Sequence, residues 1–416
     1  MDQGSSSFDQ WPASRAAALA RLEAFVPSAG RAYAAQRNFD YGPERRGNVS
    51  TLSPYLRHRL LLEEEVVEAV LARHSRSAAE KFIQEVLWRS YWKGWLEQRP
   101  EFWPAYLDEL DAALAALRED DGFNAGYQAA VTGRTGIDCF DAWARELIGT
   151  GYLHNHARMW FASVWIFTLE LPWQLGADFF IRHLLDGDPA SNTLSWRWVA
   201  GLHTRGKHYV ARADNIARYT QGRFRPDGQL HPDPAPVDDG RAAPPAGPLP
   251  EAADSAPAGR YVLLLTEDDL HTESLPMREA GPVAVAAFDA AALRSPLEVS
   301  PAVRAFTGAA VADGLARATA LYGIAATPLC HDVALESKLT GLLDDAGTRH
   351  LVTPYAPVGP AATALQQLEH ALSGQGVTIT RVRRAWDTRI WPHARRGFFT
   401  LKKKIPALLD ELIGAG

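Results

Sequence analysis

The run from Asp186 to Trp198, DGDPASNTLSWRW, holds two carboxylates, a carboxamide and two indoles in one short stretch. It directly follows the apolar ADFFIRHLL, so its acids are carried toward an interior. A buried carboxylate needs a cation or N–H partner to offset its lost hydration. Asp186 and Asp188 could each take a basic side chain, or a ribose or ring N–H of a ligand. Asn192 adds an amide, and Trp196 and Trp198 add flat faces. Arg158 is the obvious cation for one of the acids.

Three earlier segments add to this set. In NVSTLSPYLRHRLL, Ser50 and Ser53 stand where hydroxyls and free backbone N–H groups meet at a helix start, with Leu52 between them. Such a place can cradle a phosphate, and an ordinary N-cap reads the same way. In FIQEVLWRSYWKGW, the i, i+3, i+4 spacing puts Glu85, Trp88 and Arg89 on one helical face, with Trp92 nearby. An acid beside an indole can hydrogen-bond and stack a planar ligand, or simply mark an amphipathic boundary. In GYLHNHARMWF, Asn155, Arg158 and Met159 share a surface. His154 and His156 lack the i, i+4 spacing of a helical metal pair, and no metal site is expected.

The elements that must position these groups follow from periodicity. Residues 11–225 are mostly amphipathic helix, as in RAAALARLEAFV and AAEKFIQEVLWRSYWKGWLEQR. Residues 226–258 are rich in proline, glycine and acids without period, and form a linker. In residues 259–416, RYVLLLTE, PVAVAAFD, HLVTPYA and VTITRVRRA read as strands alternating with helices. The expected fold is therefore an all-helical bundle followed by a doubly wound parallel α/β domain. No Gly-x-Gly-x-x-Gly dinucleotide fingerprint is present.

Composition narrows the function classes. The formal net charge of −6 argues against a general nucleic-acid binder, though a local basic face could still dock DNA. Two distant cysteines, Cys139 and Cys330, exclude a disulfide framework and fit a reducing compartment. The opening MDQGSSSFDQW lacks the regions of a signal peptide, and Met159 to Trp173 is too short for a membrane span. A cytoplasmic protein is expected. The 13 tryptophans either line an aromatic pocket or fill cores.

In their order along the chain, the four segments resemble the flavin-binding helical domain of the DNA photolyase and cryptochrome family, from about Tyr33 to Trp198. That resemblance implies FAD as cofactor and an all-helical cradle for it. VSTLSP is similar to the family's TSxLSP phosphate-holding pattern, with Val49 replacing the usual threonine. Tyr33, Ser50, Leu52, Ser53, Arg89, Arg158, Asp186, Asp188 and Asn192 would then hold FAD. Asp186 would pair with Arg158 near the isoalloxazine, and Asn192 would face its N5. Glu85, Trp88, Asn155, Met159 and Trp198 would contact a pyrimidine dimer. Arg37, Arg89 and His156 fall at positions facing DNA. Trp196 and Trp173 match the inner and middle members of an electron relay. Asp120 stands where an outer tryptophan belongs, with Tyr127 or Trp103 as possible substitutes.

The chain also departs from the family. The α/β segment comes last, and RYVLLLTEDDLHTESLP resembles the start of an antenna domain without its FRRDLR turn. A permuted member, with no assignable antenna chromophore, is the reading; the alternative is an unrelated doubly wound domain. After Trp198 the usual GTDAAPYFRIFNP is replaced by GLHTRGKHYVARADNIARYTQGRF, in which Arg205 and Lys207 could contact phosphates. Two cysteines cannot hold an iron–sulfur cluster. The implied activity is light-driven splitting of cyclobutane pyrimidine dimers in damaged DNA by an electron from excited reduced flavin. The alternative is a cryptochrome-like blue-light receptor signalling to a protein partner. A flavoprotein without a light role is a third reading.

Overall fold

The computed structural model describes residues 11–241, 244–276 and 281–414, so the opening MDQGSSSFDQ lies outside the described residues. The helical half comprises α1 (Arg15–Phe25), α2 (Arg31–Gln36), α3 (Ser53–Arg57), α4 (Glu63–Leu71) and α5 (Arg76–Glu97). It continues with α6 (Phe102–Glu119), α7 (Asp121–Val131), α8 (Asp138–Thr150) and α9 (Asn155–Ser163). After these come α10 (Trp173–His183), α11 (Pro189–Ala200) and α12 (Ala213–Tyr219). Side chains start several of these helices by accepting orphan N–H groups: Ser14 from Ala17, Ser75 from Ala78, Asp120 from Phe123. Asp120 is thus a helix cap. Between α9 and α10, Val164–Thr168 forms a π-turn, a local widening common at functional sites.

The α/β half carries β1 (Val262–Thr266), β2 (Ala284–Phe288), α13 (Pro301–Tyr322), β3 (Ala326–Leu329) and α14 (Leu335–Asp345). Next are β4 (His350–Pro354), α15 (Pro360–Leu372), β5 (Thr378–Val382), α16 (Ala385–Ile390), α17 (Phe398–Lys402) and α18 (Ile405–Ile413). The five strands are parallel in the order β3-β2-β1-β4-β5, with Leu264 level with Ala286 and Leu263 with Val352. Sequence periodicity located four of them. The fifth, β3, holds Pro328, which removes a ladder donor and is tolerated only because the strand is an edge.

Alternation along β1 explains the layers. Val262 and Leu264 pack with Leu339 and Leu365 of α14 and α15. Leu263 and Leu265 share a continuous core with Val303 and Phe306 of α13, and with Tyr55, Val67 and Leu87 of the helical half. One apolar core therefore crosses both halves. Residues of the proline-rich segment run along this assembly: Val237 N–H donates to Ala200 O, and Gly247 N–H to Gln98 O. No described helix is long and apolar enough to cross a membrane.

Buried charge reinforces that junction. Asp269, just after β1, accepts from Arg384 Nε at 2.6 Å and Nη2 at 2.8 Å, and from Arg59 Nη1 at 3.1 Å. Arg59 also donates to Asp387 at 2.6 Å, and Arg57 pairs with Asp268. Burial works against the Asp269 carboxylate, but Arg384 and Arg59 hold it far below the usual range. Finally, α16–α18 turn back onto α5. Trp386 Nε1 donates to Ser90 Oγ at 2.8 Å, and Gly94 leaves room for Trp391, whose Cα would lie 2.7 Å from a Cβ there. The basic amphipathic terminus is therefore docked on the helical half.

Asp269→Asn should destabilise the chain by about 3–5 kcal/mol, because Arg59 and Arg384 would keep buried charges with less compensation. Chemical denaturation checks this, and a loss below about 1 kcal/mol would show the cluster relaxes easily. Glu97 makes a second, pH-dependent link, accepting from Tyr355 Oη at 2.5 Å and Val358 N–H at 2.6 Å. Burial, against these two hydrogen bonds, raises its carboxyl from 4.5 to about 7. A raised folded-state value gives stability that is full below the unfolded value and lost as pH rises through about 7. Glu97→Gln, which cannot titrate, should gain on the wild type in unfolding midpoint between about pH 5 and pH 8. A pH-independent difference would contradict this.

Candidate functional site

Asp188 is the hub of the site. Its Oδ1 accepts from Ser191 N–H at 2.7 Å, which starts α11, and Pro189 supplies the first helical residue. Its Oδ2 lies 3.7 Å from Arg89 Nη1 and 3.8 Å from Lys93 Nζ on α5. Burial alone would raise this carboxyl, but Lys93, Arg89 and Arg57 bring it down to about 2. Lys93 was not singled out in the sequence, although it sits one turn beyond Arg89 on the same helix face.

Asp186 is buried two residues earlier. Arg158 Nη2 donates to its Oδ2 at 2.9 Å, while Arg158 Nε is locked on Leu153 O at 2.8 Å. Here too the cation outweighs burial and the carboxyl falls below the usual range. Arg89 Nη2 reaches Ser53 O at 3.4 Å. Ser53, Arg89, Arg158, Asp186 and Asp188 are therefore brought into one seam between α3, α5, α9 and α11. Asn192 borders it, its Nδ2 spent on Ala177 O at 2.8 Å.

The loop before α3 is strained. Thr51 has φ 51°, an uncommon conformation for a β-branched residue, and Arg21 Nη1 donates to its hydroxyl at 2.6 Å. No side chain caps α3: Leu52 occupies the cap position, and Ser50 Oγ instead accepts from Leu52 N–H at 3.4 Å. The ordinary N-cap reading of Ser50 and Ser53 is thus not what this loop does.

The residues expected to contact a lesion are less buried than the acids of the seam. Glu85, Trp88, Met159 and Trp198 are half-buried, and Asn155 is exposed. Arg37 Nε stands 3.7 Å from Glu85 Oε1. Burial raises the Glu85 carboxyl despite Arg37 and Lys81. Tyr33 packs edge-on to Phe82 at 5.1 Å. Trp198 stacks on Tyr209 at 5.8 Å. Trp88 stacks on Phe398 of α17 with ring centroids 3.7 Å apart, a partner that sequence reasoning had not placed there.

Other singled-out residues are engaged elsewhere. His156 lies over Trp160 at 4.3 Å, with Nδ1 2.9 Å from Asn38 O. Arg205 donates to Arg241 O and lies 3.6 Å from Asp239, while Lys207 is exposed. Trp196 packs edge-on to Phe180 at 5.1 Å and Trp165 at 6.1 Å, in room left by Gly176. Trp165, which sequence reasoning passed over, then meets Tyr127 at 6.2 Å. Trp173 instead stacks on Tyr106 at 5.6 Å, and Tyr106 adjoins Trp103 at 5.5 Å. Tyr127 and Trp103 thus end two separate aromatic rows.

Residues 82–230 match the family described as the FAD binding domain of DNA photolyase. The deoxyribodipyrimidine photo-lyase of Neurospora crassa is 32% identical over 231 residues, covering 52% of this chain and 35% of that protein. The Thermus thermophilus photo-lyase is 35% identical over 192 residues, covering 45% and 42%. Among solved structures, a class III photolyase from Agrobacterium tumefaciens is 28% identical, covers 50% of this chain and 43% of its own, and has a TM-score of 0.38. The chain spans less than half the length of the curated relatives it matches.

The side chains present fit FAD. Arg89 Nη1, Asp186 Oδ1, Ser191 Oγ and Thr193 Oγ1 are buried and find no hydrogen-bond partner among the described residues. A guanidinium suits an anionic diphosphate, and a carboxylate suits a ring N–H or ribose hydroxyl. Arg89 Nη1 on α5 and Asp186 Oδ1 just before α11, both at the seam, are costly unless a polar ligand meets them. The polar seam and the sequence match agree: residues 82–230 are similar to the FAD binding domain of DNA photolyase, and the cofactor this helical half is built for is FAD.

Proposed function

We propose that this chain is an FAD-dependent, light-driven lyase that splits cyclobutane pyrimidine dimers in DNA. The observation that carries the reading is the position of Glu85. It lies one helical turn before Arg89, which meets Asp188, on the same face of α5 as Trp88, and Arg37 stands 3.7 Å from its carboxylate. A protonatable carboxyl beside indoles at a polar seam is what recognition of a base carbonyl requires.

When bound and reduced, FAD supplies one-electron donation under light. The chain's own groups do the rest. Arg89 and Ser53 would hold the anionic part of the cofactor, and Asp186, kept ionised by Arg158, would accept from its ring or ribose. Tyr33, Ser50, Leu52 and Asn192 would complete the cradle. Burial keeps a proton on Glu85 to higher pH than usual, so its carboxyl can donate to a lesion carbonyl while Arg37 orients it. Trp88, Trp198, Asn155 and Met159 would wall off water from an extruded lesion, whose flipping is cheaper than that of an intact base. Trp196 is the inner relay indole, and Trp173 and Trp165 begin the two outward rows.

A specific observation favours the second reading, a blue-light receptor with a protein partner. Phe398 covers Trp88, and Arg205 is held by Asp239 and Arg241, so two elements expected to face DNA are engaged within the chain.

Illuminating the reduced flavoprotein with an oligonucleotide carrying one thymine dimer separates the readings. The repair reading expects intact thymines in light and none in the dark. It also expects Glu85→Ala to cut the yield about tenfold or more with FAD still bound. No light-dependent recovery by the wild type would leave the receptor reading. Unchanged repair by Glu85→Ala would remove that residue from the mechanism.

A further inference from the structure

The docked terminus presents a second surface beside the candidate site. Its inner face is fixed at several points. Phe398 lies on Trp88 and edge-on to Tyr91 at 5.6 Å, and Leu401, Ile405 and Leu408 are buried in the shared core. Arg99 Nη2 donates to Arg395 O at 2.9 Å, and Lys402 Nζ lies 3.2 Å from Glu80 on α5. The outer face is the opposite in character. Phe399 is 74% exposed although its neighbour Phe398 is buried, and Arg396, Lys403 and Lys404 are exposed around it.

The acids of this region do not neutralise those cations. Glu80 is taken by Lys402, Asp410 by Arg76 at 2.5 Å, and Glu411 by Arg389 at 3.1 Å. The positive edge continues along α5, where Lys81 lies close enough to Glu85 to oppose the rise of its carboxyl. In a chain of net charge −6, this is a basic strip with a projecting aromatic ring, and Phe398 joins it to the Trp88 wall.

We propose that the segment Arg395–Lys404 is a nucleic-acid contact surface, on which Arg396, Lys403 and Lys404 meet phosphates and Phe399 stacks on an unpaired base. Both halves of the chemistry are present: fixed cations that track a backbone, and a rigidly based aromatic face that accepts any base. An anionic membrane would also attract the cations. The strip nevertheless abuts the Trp88 and Glu85 wall rather than lying on a broad apolar face, which favours a nucleic-acid strand. This inference rests on the repair reading for the class of partner, and assigns it a surface which that reading did not include.

The test is fluorescence anisotropy with a labelled oligonucleotide containing unpaired bases, over a series of salt concentrations, using the full flavin-loaded chain. All four substituted side chains are exposed, so the variants should fold, and circular dichroism checks this. Phe399→Ala should weaken binding at least about fivefold. The triple variant Arg396→Glu, Lys403→Glu, Lys404→Glu should weaken it further and flatten the plot of log affinity against log salt by about 0.7 for each phosphate no longer neutralised. If the wild type binds and both variants match it in affinity and salt slope, the surface is overturned while the repair reading stands. If the wild type binds no oligonucleotide, the surface is overturned, while the repair reading stands or falls on the thymine-dimer experiment alone. Binding of phosphatidylglycerol vesicles that is lost in the variants while oligonucleotide affinity is unchanged would also overturn the nucleic-acid surface, in favour of a membrane surface.

Discussion

Asp269 is the constraint on which the architecture turns. Sited at the end of the central strand, it receives Arg384 from beyond β5 and Arg59 from the helical half. Arg59 then reaches Asp387 at the start of α16. Three distant parts of the chain thus meet on buried opposite charges, each of which would be expensive to leave alone. The apolar core crossing both halves supplies most of the attraction, and the charges fix where the halves meet.

That junction has consequences for the site. Arg57, next to the loop of Ser50 and Ser53, donates Nε to Gly187 O at 2.8 Å, between Asp186 and Asp188. The same guanidinium pairs with Asp268 and helps to keep Asp188 ionised. The α/β half is therefore wired to the acids of the flavin seam through one arginine. Docking of α16–α18 on α5 is the other consequence, placing Phe398 on Trp88 and a basic strip at the edge of the wall.

Much of the site was legible before any coordinates. Buried acids demand cations, so Asp186 with Arg158 could be expected from chemistry. The order of the four segments carried the resemblance that names FAD. What was not legible shares one cause. Arg59 with Asp269, Trp88 with Phe398 and Glu97 with Tyr355 join residues more than two hundred positions apart, and local spacing carries no trace of such pairs. The terminal amphipathic helices read identically whether docked or solvated. The edge strand β3 was hidden by its own proline, and Trp165 by the π-turn that carries it.

The claim on which the account depends is that the polar seam between α3, α5, α9 and α11 is built for FAD. Titrating the purified chain with FAD, by flavin fluorescence and absorbance, tests it directly. The account predicts one FAD per chain, with affinity falling about tenfold or more in Asp186→Asn and in Arg89→Ala while the fold is retained. Binding that is indifferent to both substitutions would contradict it, and so would failure of the folded wild type to bind FAD.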